Sequence, residues 1–136
     1  MKAVVYDQHG PIENLRIATV GDPKPGPDEC LLRVEAVALN NFDPVILRGV
    51  PGVKTPLPMT PGGGIAGTIV AMGSGVSSGA WREGDRVLVN PVQKKGMVGE
   101  TLVGGMSEMF ATPVEALIKL PPAVSSVDAA ALPVSY

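Results

Sequence analysis

Alternation of apolar and polar side chains is clearest over residues 29–38. A period of two residues is typical of a β-strand with one buried and one solvated face. The apolar face comprises Cys30, Leu32, Val34 and Ala36, and the polar face carries Arg33 and Glu35. Shorter apolar runs predict further strands at 2–6, 15–20, 65–72, 86–90, 106–112 and 117–119. We expect these strands to enclose a barrel core lined by Leu32, Val34, Ala36, Ile69, Val70 and Val87.

Two short helices are predicted from the residues at their ends. The first has a capping residue, an N-terminal proline and a C-terminal glycine, at Asp43, Pro44 and Gly49. The second follows a capping box of Ser125 and Asp128, ahead of the apolar run 129–132. Between the two helices, residues 51–64 contain four prolines and therefore predict a loop. The expected fold is mainly β, with one or two short helices.

Composition narrows the classes of protein to which the chain can belong. A length of 136 residues fits one domain, and 17 glycines and 14 prolines favour a barrel or sandwich of short strands. The net charge of −2 provides no basic surface for nucleic acid. No apolar run nears the ~20 residues of a membrane helix. The first residues lack a signal-peptide core, so we expect a cytoplasmic protein with no membrane partner.

Metal chemistry has few candidate ligands in this sequence. The chain has one cysteine and one histidine, Cys30 and His9, whereas catalytic zinc takes three protein ligands. Cys30 falls on the apolar face of its strand, where we expect it to be inert packing. His9 precedes Gly10 and Pro11 and is expected in a solvated turn. The sequence therefore predicts no bound metal.

A polar cluster of Asn40, Asn41 and Asp43 lies where the strand over residues 29–38 leads into the first helix. Turn chemistry explains Asn41 and Asp43 as well as a functional role does, because Asn tolerates unusual backbone angles and Asp caps helices. Asn40 directly follows a buried strand, so we expect its side chain to project into a cleft. An amide in that place can donate a hydrogen bond to a carbonyl group.

The spacing Gly62-x-Gly64-x-x-Gly67 matches the dinucleotide-binding fingerprint. That fingerprint needs a strand before it and a helix after it, so that the phosphates meet a helix N-terminus. Here a proline-rich loop precedes the glycines, and residues 68–71 favour a strand. We therefore interpret the glycines as a loop that packs closely and then enters a strand.

Taken in order, several segments resemble the N-terminal domain of the medium-chain dehydrogenase/reductase superfamily. These segments are 38–43, 61–67, 84–87, 104–108 and 129–133. The resemblance implies the GroES-like fold, a partly open β-barrel, which over residues 1–121 carries the substrate side of the active-site cleft. Residues 122–136 are similar to the connector that leads to a Rossmann domain. Because that domain is not in the chain, we expect a fragment of a longer protein that transfers no hydride alone.

Departures from the zinc-dependent members concern the metal ligands. Asn40 stands at the position of the ligating Cys, and Gly63 and Gly64 stand at those of the His and Glu. Phe42 replaces the Ser or Thr of the proton relay. The resemblance thus implies the zinc-independent branch, which includes quinone oxidoreductases and enone, alkenal and enoyl-thioester reductases. In this branch NADPH is the usual cofactor, so we expect NADPH and no zinc.

The resemblance also implies roles for individual residues. Asn40 is the candidate catalytic residue, as donor to a substrate carbonyl, and Asn41 is a candidate contact to the nucleotide. The expected lining of the substrate cleft is Asn40, Asn41, Phe42, Gly62, Gly63 and Gly64. The expected partners are a small-molecule substrate and NADPH, which is held mainly by the domain outside this chain. A homodimer is one expected state of the full-length protein.

Three other functions stay open from the sequence. A non-catalytic member could keep the fold as a binding or structural protein, since it also needs none of the metal ligands. A zinc-dependent alcohol dehydrogenase is disfavoured by the missing ligands. A co-chaperonin is disfavoured because residues 1–28 show no flexible glycine-rich loop.

Overall fold

Nine strands and two α-helices build the chain over residues 1–135, which the computed structural model describes. The strands are β1 Lys2–Val5, β2 Arg16–Thr19, β3 Glu29–Ala38, β4 Gly64–Met72, β5 Arg86–Val89, β6 Val92–Gln93, β7 Gly96–Met97, β8 Met109–Pro113 and β9 Leu117–Lys119. The helices are α1 Asp43–Arg48 and α2 Ser126–Ser135. The prediction of a mainly β fold with short helices is confirmed. Within residues 1–135, no helix has the length and apolar character that crossing a membrane requires.

The strands form one large antiparallel sheet and two small ones. The large sheet has the order β8-β3-β4-β5-β9, while β1 pairs with β2 and β6 with β7. β8 and β9 are the two edges of the large sheet and do not pair with each other. The expected barrel is a partly open one, and in the described part of the chain the sheets indeed do not close into a barrel.

The core lies on one face of the large sheet and differs in part from the predicted one. Leu32, Ile69 and Val87 are buried as predicted, and Val34 packs against them. Ala36 instead packs against α2, because a register shift between Val34 and Ala36 changes the face of the strand. Val70 was also wrongly placed, since neighbours in a strand face opposite sides and Ile69 takes the core side.

α2 lies across the large sheet and begins as the sequence predicted. Ser125 Oγ accepts the Asp128 N–H at 3.0 Å and donates to the Asp128 carboxylate at 2.6 Å, which completes the first turn. Ala129 and Ala130 are buried against a small cluster of apolar side chains from β3, β4 and β5. Because these side chains are short, the helix backbone lies close to the sheet.

A polar contact between α2 and the sheet is centred on Glu35. Its carboxylate accepts hydrogen bonds from Thr68 Oγ1 and Ser126 Oγ, both at 2.5 Å. Arg86 donates to the Val124 carbonyl at 2.7 Å, just before the helix. The bond from Ser126, followed by that from Thr68, lowers the pKa of Glu35 below its usual value. The ionised carboxylate is therefore the form that holds the N-terminus of α2.

Glu35→Gln is expected to reduce both stability and its dependence on pH. Since the pKa is lower in the folded state, the carboxylate stabilises the fold above the unfolded value of about 4.3. This contribution is lost as the pH falls through the folded-state pKa. We expect a loss of about 1 kcal/mol at pH 7, given hydrogen bonds to a partly solvated charge. Urea unfolding at pH 7 and pH 3 measures it.

The control for this variant is Glu115→Gln. Glu115 forms an exposed ion pair with Lys94 at 2.7 Å and does not contact α2. Its loss should change stability by less than about 1 kcal/mol. If Glu35→Gln kept the full pH dependence of the unmodified chain, the proposed contribution of the Glu35 carboxylate would be wrong.

Gly64→Ala is expected to destabilise the fold because there is no space for a methyl group. A Cβ at Gly64 would collide with the Ala130 carbonyl oxygen of α2 and would crowd the Ala38 side chain. Overpacking against backbone predicts a loss of about 1–3 kcal/mol. Gly21→Ala is the control, since a Cβ there meets no atom within 4 Å. Chemical denaturation of both variants measures this loss. Equal free energies of unfolding would show that α2 can shift to accept the methyl group without destabilising the fold.

Candidate functional site

The corner after β3 brings the predicted polar cluster to the end of the large sheet. β3 ends at Ala38, and α1 begins at Asp43 with Pro44 in its first turn. The helix ends at Gly49, whose φ of 90° suits a glycine and confirms the predicted exit. The end of β3 and the start of α1 leave only four residues, 39–42, for the turn itself. Asn40 therefore lies directly at the rim between strand and helix.

The Asn40 side-chain amide is oriented by two hydrogen bonds. Nδ2 donates to the Ala38 carbonyl at 3.2 Å, and Oδ1 accepts from the Ser135 hydroxyl at 3.0 Å. Because a carbonyl can only accept, the bond to Ala38 fixes which side of the amide carries the nitrogen. An amide nitrogen has two hydrogens, so one N–H of Asn40 has no partner among residues 1–135. This N–H can donate to a ligand.

The glycine loop, residues 62–64, is buried between three other segments. Gly62 has a φ of 100°, and a Cβ there would meet Val37 and Met106. A Cβ at Gly63 would lie 2.9 Å from the Val98 carbonyl oxygen and 3.6 Å from the Phe42 ring. The absence of side chains thus lets β3, the corner and the 97–106 segment approach one another.

Backbone hydrogen bonds fix this loop from the opposite side. Gly104 donates to Thr60 at 2.7 Å, and Gly105 donates to Gly62 at 2.9 Å. Met106 adds a third bond, to the Pro61 carbonyl at 3.0 Å. These bonds hold residues 60–62, so the position of the loop does not depend on side chains of its own.

Asp43 joins the corner to the glycine loop. One carboxylate oxygen accepts the Asn40 N–H at 2.7 Å, and the other accepts the Gly62 N–H at 3.2 Å. The prediction that Asp43 is the N-cap is wrong: Phe42 takes that position without a side-chain bond, and Asp43 is the first helical residue. Burial raises the pKa of Asp43, and the two N–H groups oppose this rise.

Tyr6 lies under the same corner. Its side chain is 1% exposed, and burial, followed by the charge of Asp43, raises the pKa of its phenol. The phenol therefore stays neutral over the range in which Asp43 ionises. The His9 ring, 6.0 Å from that of Tyr6, places Nδ1 3.1 Å from the Ile46 carbonyl at the end of α1. His9 is exposed, as predicted, and it contacts the end of a helix.

Most of the predicted site residues lie together, but one does not join them. Asn40, Phe42 and the three loop glycines share the corner, whereas Asn41 is exposed and makes no side-chain hydrogen bond within residues 1–135. Sequence reasoning missed the contact of Asp43 with Gly62 and that of Ser135 with Asn40. Because the pattern Asp-Pro is typical of a helix start, it already explained Asp43 locally and gave no reason to expect a distant partner.

The residues at the family's metal positions offer no suitable donor set. An amide and two glycines stand where thiolate, imidazole or carboxylate ligands are needed. The space beside Gly63 and Gly64 is filled by the backbone carbonyls of Val98 and Ala130. Among residues 1–135, no group of three or more His, Cys, Asp or Glu side chains could surround a metal ion. These residues therefore do not fit zinc.

A cavity of about 720 Å³ adjoins the segments that support the glycine loop, since Thr60, Val98 and Gly104 are among its lining residues. It is bordered by β8, by the β6–β7 hairpin and by the N-terminal residue, with Gln93, Phe110 and Thr112 in its wall. None of the predicted site residues lines it. The candidate site is thus the open rim at Asn40.

Comparison with known proteins places this architecture in a family. Residues 26–122 match the alcohol dehydrogenase GroES-like domain. The chain is 33% identical to the NADPH-dependent alkenal/one oxidoreductase, chloroplastic, of Arabidopsis thaliana over 99% of its own length and 35% of that protein. It is 38% identical to the synaptic vesicle membrane protein VAT-1 homolog of Rattus norvegicus over 84% of its length and 25% of that protein.

Solved structures agree with these relatives. An NAD-dependent alcohol dehydrogenase superposes with a TM-score of 0.87 at 32% identity, covering 98% of this chain and 43% of that one. A quinone oxidoreductase of Pseudomonas syringae gives a TM-score of 0.81 at 30% identity, covering 96% of this chain and 37% of that one. The chain spans between 25% and 43% of the length of these proteins. It belongs to the alcohol dehydrogenase GroES-like domain family.

Proposed function

We propose that this domain forms the substrate side of a zinc-independent, NADPH-dependent oxidoreductase that reduces a small carbonyl-conjugated substrate, of the quinone, enone or enoyl type. The observation that carries the proposal is the oriented Asn40 amide, one N–H of which has no partner among residues 1–135, beside a glycine loop that offers no metal ligand. Relatives named as alkenal and quinone oxidoreductases support the substrate class, and one of these names specifies NADPH.

Under this proposal, the corner binds and polarises the substrate carbonyl. A nicotinamide nucleotide, when bound by a further domain, supplies hydride to a carbon conjugated with that carbonyl. As hydride arrives, negative charge grows on the carbonyl oxygen, and the free Asn40 N–H stabilises it. Ser135 and Ala38 hold the amide so that it need not reorganise during the reaction. Phe42 and the glycine loop provide an apolar wall that reduces the access of water.

A non-catalytic binding protein is the second candidate. The relatives named VAT-1 homolog favour it, because that name carries no activity. Both candidates use the same corner, and they differ in whether a hydride is transferred. Assay of the longer protein with NADPH and a set of enones and quinones separates them. The predicted homodimer and cytoplasmic location stay predictions, and the Arabidopsis relative is named chloroplastic.

Asn40→Ala is expected to reduce turnover in a protein that carries this domain together with its nucleotide-binding domain. Removal of one donor to a developing oxyanion predicts a loss of about 10- to 100-fold. Affinity for NADPH should not change, because the nucleotide is held mainly elsewhere. Asn90→Ala is the control, since the Asn90 side chain lies in another turn, where its Oδ1 accepts the Val92 N–H. Unchanged turnover in Asn40→Ala would reduce Asn40 to a turn residue.

Purified, tag-free protein is expected to contain no stoichiometric zinc after exposure to the metal. Zinc binding needs deprotonated thiol, neutral imidazole or carboxylate groups in tetrahedral arrangement, and the corner offers none at the family's ligand positions. Elemental analysis after dialysis measures the content. About one zinc per chain would contradict the proposal and favour a zinc-dependent dehydrogenase.

A further inference from the structure

Asp43 is a buried carboxylate without a cationic partner in the described part of the chain. Its exposure is 7%, close to the 8% of Asp85. Asp85, however, lies 2.9 Å from the Lys119 ammonium and 3.5 Å from the Arg82 guanidinium. Burial of a charge is unfavourable unless it is paired or hydrogen-bonded. Asp85 is explained by its cations, so the burial of Asp43 needs another reason.

The two hydrogen bonds of Asp43 join segments that are far apart in sequence. Asn40 belongs to the corner that follows β3, whereas Gly62 begins the glycine loop, 19 residues beyond Asp43. Both donors are backbone N–H groups, so their positions change only when the main chain moves. Since the two carboxylate oxygens have a fixed separation, the side chain sets the distance between the two segments.

The geometry of Gly62 supports this role. Its φ of 100° belongs to the region that favours glycine, and in this conformation its N–H points to Asp43. A Cβ at Gly62 would strike Val37 and the Met106 side chain. A side chain at this position would therefore disturb the contact with Asp43. A carboxylate can accept both N–H groups, whereas an amide side chain has only one acceptor oxygen.

We propose that Asp43 is a positioning residue, which fixes the Asn40 amide relative to the glycine loop and so aligns the donor for the substrate carbonyl. The alignment of a substrate rests on the proposed function. The bridge, meaning the pair of hydrogen bonds from the Asn40 and Gly62 N–H groups to the Asp43 carboxylate, does not rest on the proposed function. It can be measured in the chain without a substrate. Asp43 itself does not touch the substrate in this proposal.

Amide hydrogen exchange of the 136-residue chain tests the bridge. In Asp43→Asn, the single acceptor retains one bond, so exchange at either Asn40 or Gly62 should accelerate by about 10- to 100-fold relative to Leu32 in the core. In Asp43→Ala, both should accelerate. Asp85→Asn is the matched control: it lowers overall stability but should leave the ratios for Asn40 and Gly62 unchanged. Unchanged ratios in both Asp43 variants would overturn the proposal.

A measurement on the unmodified chain covers the case in which the variants fail to fold. The NMR shifts of the Asn40 and Gly62 amide protons should move together, with one midpoint, as Asp43 is protonated. Of the other titratable groups, Tyr6 senses the charge of Asp43, and the His9 ring lies 6.0 Å from that of Tyr6. Tyr6 ionises only at high pH, and His9→Gln removes the other contribution. Amide shifts at Asn40 and Gly62 with separate midpoints, or none, would refute the bridge.

Kinetics of the longer protein test the alignment. Asp43→Asn should lower kcat by about 10-fold for an enone or quinone and leave the Kd for NADPH unchanged, because only the donor is displaced. Asp85→Asn should keep kcat per folded molecule. If the exchange results hold but the unmodified protein reduces none of these substrates, the proposed function fails and the bridge stands. If kcat does not change in Asp43→Asn, the alignment role is wrong.

Discussion

Close approach of backbone segments at residues 62–64 is the constraint on which this corner depends. A strand, a helix and a connecting segment all place main-chain carbonyls or apolar side chains against these glycines. A side chain there would displace at least one of them, since packed interiors have little free volume. By resemblance, Gly63 and Gly64 stand where the zinc-dependent members of the superfamily hold a His and a Glu metal ligand. In this chain the space of those ligands is used to bring backbone closer.

This packing changes the way in which the corner is ordered. A metal ion holds its ligands by direct coordination, whereas hydrogen bonds hold the chain segments of this corner together. Asp43 accepts from both sides of the cleft rim, and the 104–106 segment supports the glycine loop from behind. The net free energy of such a hydrogen bond is about 1 kcal/mol, so several bonds are needed to hold the corner in one conformation. The density of backbone hydrogen bonds around residues 60–64 meets that need.

The sequence predicted those features that depend on local pattern. The long strand β3, the capping box of α2 and the loop before β4 all follow from signals within ten residues. Features that depend on distant partners were missed or wrong. The face of Ala36 changed with a register shift, which is set by the pairing of β3 with β4 and not by either strand alone. The bond from Asp43 to Gly62 was missed for the same reason, because Asp-Pro already has a sufficient local explanation.

The position of α2 connects these observations to the chemistry of the rim. Its first turn is held by the Glu35 carboxylate, its middle lies on Gly64, and its last residue, Ser135, donates to Asn40. One short helix thus contacts both the sheet and the donor amide, so the position of the amide depends on how the helix packs on the sheet. Because the Ser135 hydroxyl and the Ala38 carbonyl hold opposite ends of that amide, a shift of the helix would rotate the free N–H. An N–H group donates along one direction, so its ability to stabilise a substrate oxygen depends on its orientation. In this corner, that orientation depends on the elements that hold the Asn40 amide.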